Sequence, residues 1–206
     1  VLLNQNLRGG SLYRTLFFLP SLTPSVAAVL LWGWLLHKRW GPVNYALGVI
    51  GIQGPSWLGD PKWALFSLVL ISLWGAAGGG AMIIFLAGLQ GIPQVLYDAT
   101  HVDGANPWQR FIHVTLPMLS PTIFFNLVMG MIGSLKVFTS AFVATEGGPA
   151  YATWFYLLHL YNKAFQVLEM GYASALAWIF FVIVVSLTLL QFSMSRRWVY
   201  YEAEVQ

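Results

Sequence analysis

Cysteine is absent from this 206-residue chain, which excludes a disulfide framework, a thiolate nucleophile and a cysteine-based metal site. Charge is nearly as scarce. Asp, Glu, Lys and Arg together make up 8% of the residues, against about 25% in an ordinary soluble domain. The net charge of +3 would point to nucleic acid only if the cations clustered on a solvated face, and here they stand singly or in pairs at the ends of apolar runs. Catalytic signatures are missing too. The four histidines, His37, His101, His113 and His159, show no HExxH spacing, and there is no GxSxG. Gly78, Gly79 and Gly80 lack the following Lys and Ser or Thr of a phosphate cradle. Asp98 and Asp103 lie five residues apart, about 140° around a helix, and do not converge as a carboxylate pair.

What the chain has in abundance is apolar length. It is 58% hydrophobic, with a mean hydropathy of +0.69, the composition of an integral membrane protein. A span needs about 20 apolar residues to cross about 30 Å of hydrocarbon. Four runs qualify: Tyr13 to Leu36, kinked at Pro20 and Pro24, Trp63 to Leu89, Leu116 to Val143, and Gly171 to Met194. The predicted fold class is all-α, a polytopic membrane helix bundle whose two ends emerge on one side. Five flanking cations on that side against four on the other leave orientation open.

The polar segment from Tyr97 to Pro117 separates the second and third spans. Gly91 and Pro93 end one helix and start another. Ile92, Val95, Leu96, Ala99 and Val102 then draw one apolar stripe, with Asp98, His101 and Asp103 on other faces. Gly104 stands where a left-handed cap residue stops that helix. Asn106 and Pro107 read as the N-cap and first position of a second helix running through Trp108 and Phe111. Helix, hinge and helix between two spans make a short rigid knob on the aqueous side.

Three further features stand out. The run from Gly75 to Ala81 places small residues four apart, which suits either close helix packing or a flexible gate. Lys136 is an intramembrane charge, facing a cavity or snorkelling to the interface. With Ser134, Val137 and Phe138 it forms the candidate solute path; helical spacing puts Ser134, Val137 and Phe138 on one face and turns Lys136 away. The third feature is an amphipathic pattern within Ala144 to Met170. His159, Asn162, Lys163, Gln166 and Glu169 form its polar stripe, and Trp154, Phe155, Leu158, Tyr161, Phe165 and Leu168 pack around the rest. It reads as a helix along the membrane surface, serving as a cover for the bundle or as a contact for an extracytoplasmic partner.

Asp98-Ala99-Thr100, Gly104 and the closing Val114, Leu116 and Pro117 resemble the EAA loop of the inner-membrane permeases of ATP-binding-cassette importers. Asp98 replaces the usual Glu, Thr100 an Ala and Val114 an Ile, with spacing intact. Leu7 to Pro20, Trp57 to Pro61, Phe85 to Pro93, Thr145 to Pro149 and Gly171 to Leu176 extend the resemblance over essentially the whole chain, toward the first-permease subunit of the carbohydrate-uptake group of maltose and glycerol-phosphate type. The resemblance implies a single transmembrane permease domain over 1–206. It further implies six spans in the intact subunit, two of them upstream of this sequence, which opens without an initiator Met. The 90–116 loop becomes the coupling loop, where Leu96, Asp98, Ala99, Val102, Asp103, Gly104, Ala105, Arg110 and Phe111 engage an ATPase. That loop and both ends are then cytoplasmic, and 144–170 is extracytoplasmic. The implied partners are a second homologous permease, a cytoplasmic ATPase dimer, an extracytoplasmic solute-binding protein and the lipid of a prokaryotic cell (inner) membrane. The chain binds no cofactor of its own, since ATP-Mg is used by the ATPase. The expected function is uptake of a sugar or sugar derivative. A membrane-embedded enzyme acting on lipid-linked sugar, or a secondary transporter or channel, is the alternative.

Overall fold

The computed structural model describes residues 10–76 and 79–200, and every regular element among them is helical. The first apolar run forms α1 (Gly10–Leu22) and α2 (Ser25–Leu35), which meet at 94°. Pro24 is the reason for the bend: it has no N–H to donate and it forces Thr23 away from helical torsions. A short helix, α3 (Pro42–Val49), follows in the loop. The second run forms α4 (Pro61–Ala76) and α5 (Gly80–Gln90), bent by 42°. Gly79 caps α5 with φ +72, a left-handed torsion that suits glycine.

On the knob lie α6 (Gln94–Val102) and α7 (Pro107–Arg110). The chain then passes through a π-helical turn (Phe111–Thr115) and α8 (Leu116–Met118). The third span, Ser120–Ala144, consists of α9 (Ser120–Leu135) and α10 (Thr139–Ala144). After α11 (Tyr156–Tyr161) and a second π turn (Asn162–Gln166), α12 (Met170–Ser195) is the fourth span. Its 26 residues rise about 39 Å, enough to cross about 30 Å of hydrocarbon. Only 6% of the most apolar window of the third and of the fourth span is buried within the chain, which leaves their apolar sides for lipid or another subunit. The expected third span starts four residues late, because Pro117 and Pro121 set α8 apart from α9.

Two apolar clusters sit apart. Val29, Leu68, Ile71, Ala141 and Leu158 form one, with Trp154 and Phe155 packed on it. Leu89, Ile92 and Leu119 form the other, beneath the knob. Between Ala144 and Met170 only Tyr156–Gln166 is helical, so the helix expected over Trp154 to Leu168 is shorter. A turn held by fully buried Thr153 precedes it, with Thr153 donating to the Gly148 carbonyl at 2.6 Å, and Leu168 at φ +62 ends it. Leu158 inserts into the core, so this segment covers the bundle. The loop after α2 is organised by Asn44. Its amide donates to the Lys38 and Pro55 carbonyls, both at 3.0 Å, and its oxygen accepts from Trp57 Nε1 at 2.7 Å.

Candidate functional sites: an aqueous knob and a cavity at three helix breaks

The knob is stiffened at both ends of its hinge. The Gly104 N–H donates to the His101 carbonyl at 3.2 Å and the Ala105 N–H to the Thr100 carbonyl at 3.0 Å, the paired bonds of a Schellman stop. Gly104 has φ +70, as the stop requires. Two residues later Asn106 accepts from the Gln109 N–H, while the Gln109 side chain accepts from the Asn106 N–H, both at 2.9 Å. This capping box satisfies two otherwise orphaned donors of α7. Cross-links join the arms: the Tyr97 hydroxyl lies 3.1 Å from Thr115 Oγ1, and Arg110 meets the His101 ring. Trp108, 68% exposed, stacks on Phe111.

The apolar stripe of this segment divides. Ile92 precedes α6, so it is outside the helical register. Within α6, Val95, Ala99 and Val102 fall within about 60° of one another, whereas Leu96 is turned about 100° from Val95. Leu96 accordingly packs with Leu89, Ile92 and Leu119. Val95, Ala99 and Val102 are exposed, Val102 by 89%. Leu96 therefore belongs to the chain's own core, and the free surface is narrower than the expected stripe. Asp98 and Asp103 are exposed, while Ala105, Arg110 and Phe111 are half-buried.

The second site is a cavity of about 480 Å³ where three helix breaks converge. Pro20, Ser21, Thr23 and Ser25 come from the α1–α2 bend, Ser72, Trp74 and Gly75 from the end of α4, and Lys136 to Ser140 from the junction of α9 and α10. Discontinuous helices expose polar backbone at membrane depth, where it is tolerated when it lines a cavity. Helical spacing puts Ser134 and Phe138 on one face and turns Lys136 away, whereas the structure sets Lys136 beside Phe138 and leaves Ser134 out of the lining. Because α9 stops at Leu135 and Lys136 is its cap, no continuous helix carries the register past the break. Ser134 stays on an exposed face, donating to the Met131 carbonyl at 2.8 Å, and Lys136 lines the cavity with Val137 and Phe138. Phe138 also stacks on Phe142 at 5.3 Å.

Sequence reasoning missed Ser21, Thr23, Ser25, Ser72 and Trp74, although the Pro20–Pro24 pair marked their neighbourhood. Of the small-residue run, Gly75 and Ala76 end α4 and Gly80 starts α5. Ala77 and Gly78 lie outside the described residues, and a Cβ on Gly75 would meet open space, whereas one on Gly79 would overlap the Ser21 side chain. Among the described residues no group of three His, Cys, Asp or Glu side chains is placed to hold a metal ion.

Broken apolar spans around a polar cavity, joined by a rigid aqueous knob, are the parts of a membrane transport subunit. Residues 3–200 match the family described as the binding-protein-dependent transport system inner membrane component, and the chain belongs to it. It is 45% identical, over 99% of its length, to the "Probable ABC transporter permease protein YesP" of Bacillus subtilis, and 33% identical, over 95% of its length, to the "Trehalose/maltose transport system permease protein MalF" of Thermococcus litoralis. The chain spans 66% of the length of each. An sn-glycerol-3-phosphate permease protein, UgpA of Yersinia pestis, is 36% identical over 98% of this chain and 68% of its own. The fold matches the crystal structure of a bacterial ABC transporter involved in the import of the acidic polysaccharide alginate. The TM-score is 0.84 at 26% identity, covering 95% of this chain and 69% of that one.

Proposed function

We propose that this chain is the transmembrane permease part of an ATP-driven, binding-protein-dependent importer for a sugar or sugar derivative. The observation that carries the reading is the knob, whose hinge is fixed by a Schellman stop and a capping box while Val95, Ala99, Val102 and Trp108 stand exposed. An apolar, pre-ordered surface between two spans is suited to a groove on a cytoplasmic ATPase. Ala99 and Val102 would supply the contact, with Asp98, Asp103, Ala105, Arg110 and Phe111 around it, Gly104 fixing the angle and Leu96 anchoring the helix beneath. ATP-Mg is hydrolysed on that partner. The docked knob moves with the ATPase pair, and the permease alternates between inward- and outward-open states.

On this reading the knob and both ends of the chain are cytoplasmic, and 144–170 faces the binding protein. A second, homologous permease closes the open side of the cavity at the helix breaks. The relatives named for trehalose and maltose and for glycerol phosphate, and the alginate importer, support a saccharide-type solute. The test is reconstitution with the partner permease, ATPase and binding protein in vesicles. Uptake of a labelled saccharide that requires both ATP and the binding protein supports the reading. Uptake driven by an ion gradient without ATP would replace it with a secondary transporter.

A further inference from the structure

Among the described residues Lys136 is the only charged side chain in the lining of the cavity at the helix breaks, and no carboxylate lines it. Among the described residues the ion pair is Lys163 with Glu169, so among them the Lys136 ammonium has no anionic partner. An intramembrane cation is costly and persists where a cavity, a partner or the interface compensates it. Lys136 caps α9 at the break itself, with 137–144 of the span still to follow. Around it the cavity offers hydroxyls from Thr23, Ser25, Thr139 and Ser140 and the rings of Trp74 and Phe138. Hydroxyls and ring faces suit any sugar; an ammonium without a counter-charge suits a charged one.

We propose that the solute carries an anionic group, a carboxylate or a phosphate, that pairs with Lys136 at the helix breaks, making this residue the determinant that selects acidic saccharides over neutral ones. The proposal rests on the importer reading and adds the charge of the solute to it. A lysine side chain suits this use because its ammonium is a compact charge on a flexible stem. It can follow an anion as the broken spans move between states. Pairing also removes the cost of the unpaired cation whenever solute is present, so occupancy and the state of the breaks become linked.

The test uses the absence of cysteine from these 206 residues, on a background in which any cysteine elsewhere in the importer is replaced by alanine. Ser140→Cys places a thiol on the cavity wall of the whole importer in membranes, and its reaction is followed with a sulfonate-bearing and a trimethylammonium-bearing methanethiosulfonate. Each rate is normalised to that of a free thiol in solution. The sulfonate reagent should react about tenfold faster or more, as a focused positive field allows, and the ratio should fall to about twofold or less with Lys136→Gln while persisting with Lys136→Arg. Equal rates with Lys136 intact, which would show that another subunit neutralises the charge, or a preference that survives Lys136→Gln, which would place the positive field elsewhere, would overturn the proposal. In the second arm a uronate disaccharide or a sugar phosphate should slow labelling, and a neutral disaccharide of the same size should not; which of the two acidic solutes protects separates carboxylate from phosphate. Equal protection by the neutral sugar, or protection by none, also overturns it. ATP-driven uptake in the same vesicles reports separately on whether the importer reading stands.

Discussion

The Tyr97 hydroxyl lies 3.1 Å from Thr115 Oγ1, joining the first helix of the knob to the π turn that leads into the third span. Thr115 is buried, at 5% exposure, so the link ties α6 to a packed position at the base of α9. Tyr97→Phe removes the hydroxyl alone. One such bond is worth about 1 kcal/mol, which should speed amide exchange in α6 about fivefold and lower the sugar transported per ATP, with assembly intact. Unchanged exchange would show that packing by the ring, not the hydroxyl, holds the arms together.

Gly104 tests the hinge. A Cβ there would meet nothing within 4 Å, yet φ is +70, so the penalty for a side chain is one of backbone torsion. Gly104→Val should cost on the order of 1–3 kcal/mol and misalign the knob. ATP hydrolysis should continue without uptake while membrane insertion is normal. Gly104→Asn, which tolerates the left-handed region, should recover most of the coupling. Full transport by the Val variant would mean that the stop is not needed.

The divided stripe makes opposite forecasts for neighbours in sequence. Ala99 is exposed in this chain, so Ala99→Glu should leave its thermal stability unchanged and abolish co-purification of the ATPase from detergent, because it would bury an unpaired carboxylate at the contact. Leu96 packs against Leu89, Ile92 and Leu119. Leu96→Ala should instead lower stability, by on the order of 1 kcal/mol or more, and weaken ATPase binding only indirectly. Stoichiometric ATPase on the Ala99→Glu variant would place the contact on another face.

How much of this was legible follows from the range of each signal. The knob was readable because Gly104, Asn106 and Pro107 act within a few residues, and only the reciprocal bond from Gln109 escaped notice. Which side of α6 the bundle covers is a tertiary matter, so Leu96 was grouped with the free stripe. At 134–139 there is neither proline nor glycine, and the helical period was carried straight through a break at Lys136. The break accompanies Phe138 stacking on Phe142 and packing at a tilt against Tyr161, contacts that periodicity does not encode. The 94° turn was underestimated as a kink for the related reason that Pro20 and Pro24 mark where a helix fails but not the direction the chain then takes.

Asn44 makes a local prediction independent of transport. All three of its hydrogen bonds bridge segments six to thirteen residues away, so Asn44→Ala strands the Lys38 and Pro55 carbonyls and the Trp57 indole together. Each buried group left unpaired costs about 1–3 kcal/mol, though water will recover part of this at the half-exposed site. The expected outcome is a lower melting temperature in detergent and faster proteolysis between residues 38 and 57, with ATPase binding at the far knob unchanged. Proteolysis at the native rate would show that the loop is held by its aromatic contacts alone.

Ser21 and Gly79 bring the bends of the first two spans into contact, and their meeting has two separable parts. A Cβ at position 79 would overlap the Ser21 side chain, and it would also have to be carried at φ +72. Gly79→Ala should therefore suffer both a steric and a torsional penalty. Ser21→Gly makes room and relieves only the first, since the torsional penalty, on the order of 1–2 kcal/mol for a non-glycine residue, stays. The double variant should be more stable than Gly79→Ala alone yet less stable than Ser21→Gly, a coupling that a double-mutant cycle on thermal or denaturant unfolding in detergent isolates. Additive effects would mean that the Ser21 side chain and a Cβ at position 79 do not meet. A double variant as unstable as Gly79→Ala would assign the whole cost to the torsion, leaving glycine at position 79 necessary for the break itself and Ser21 free to vary.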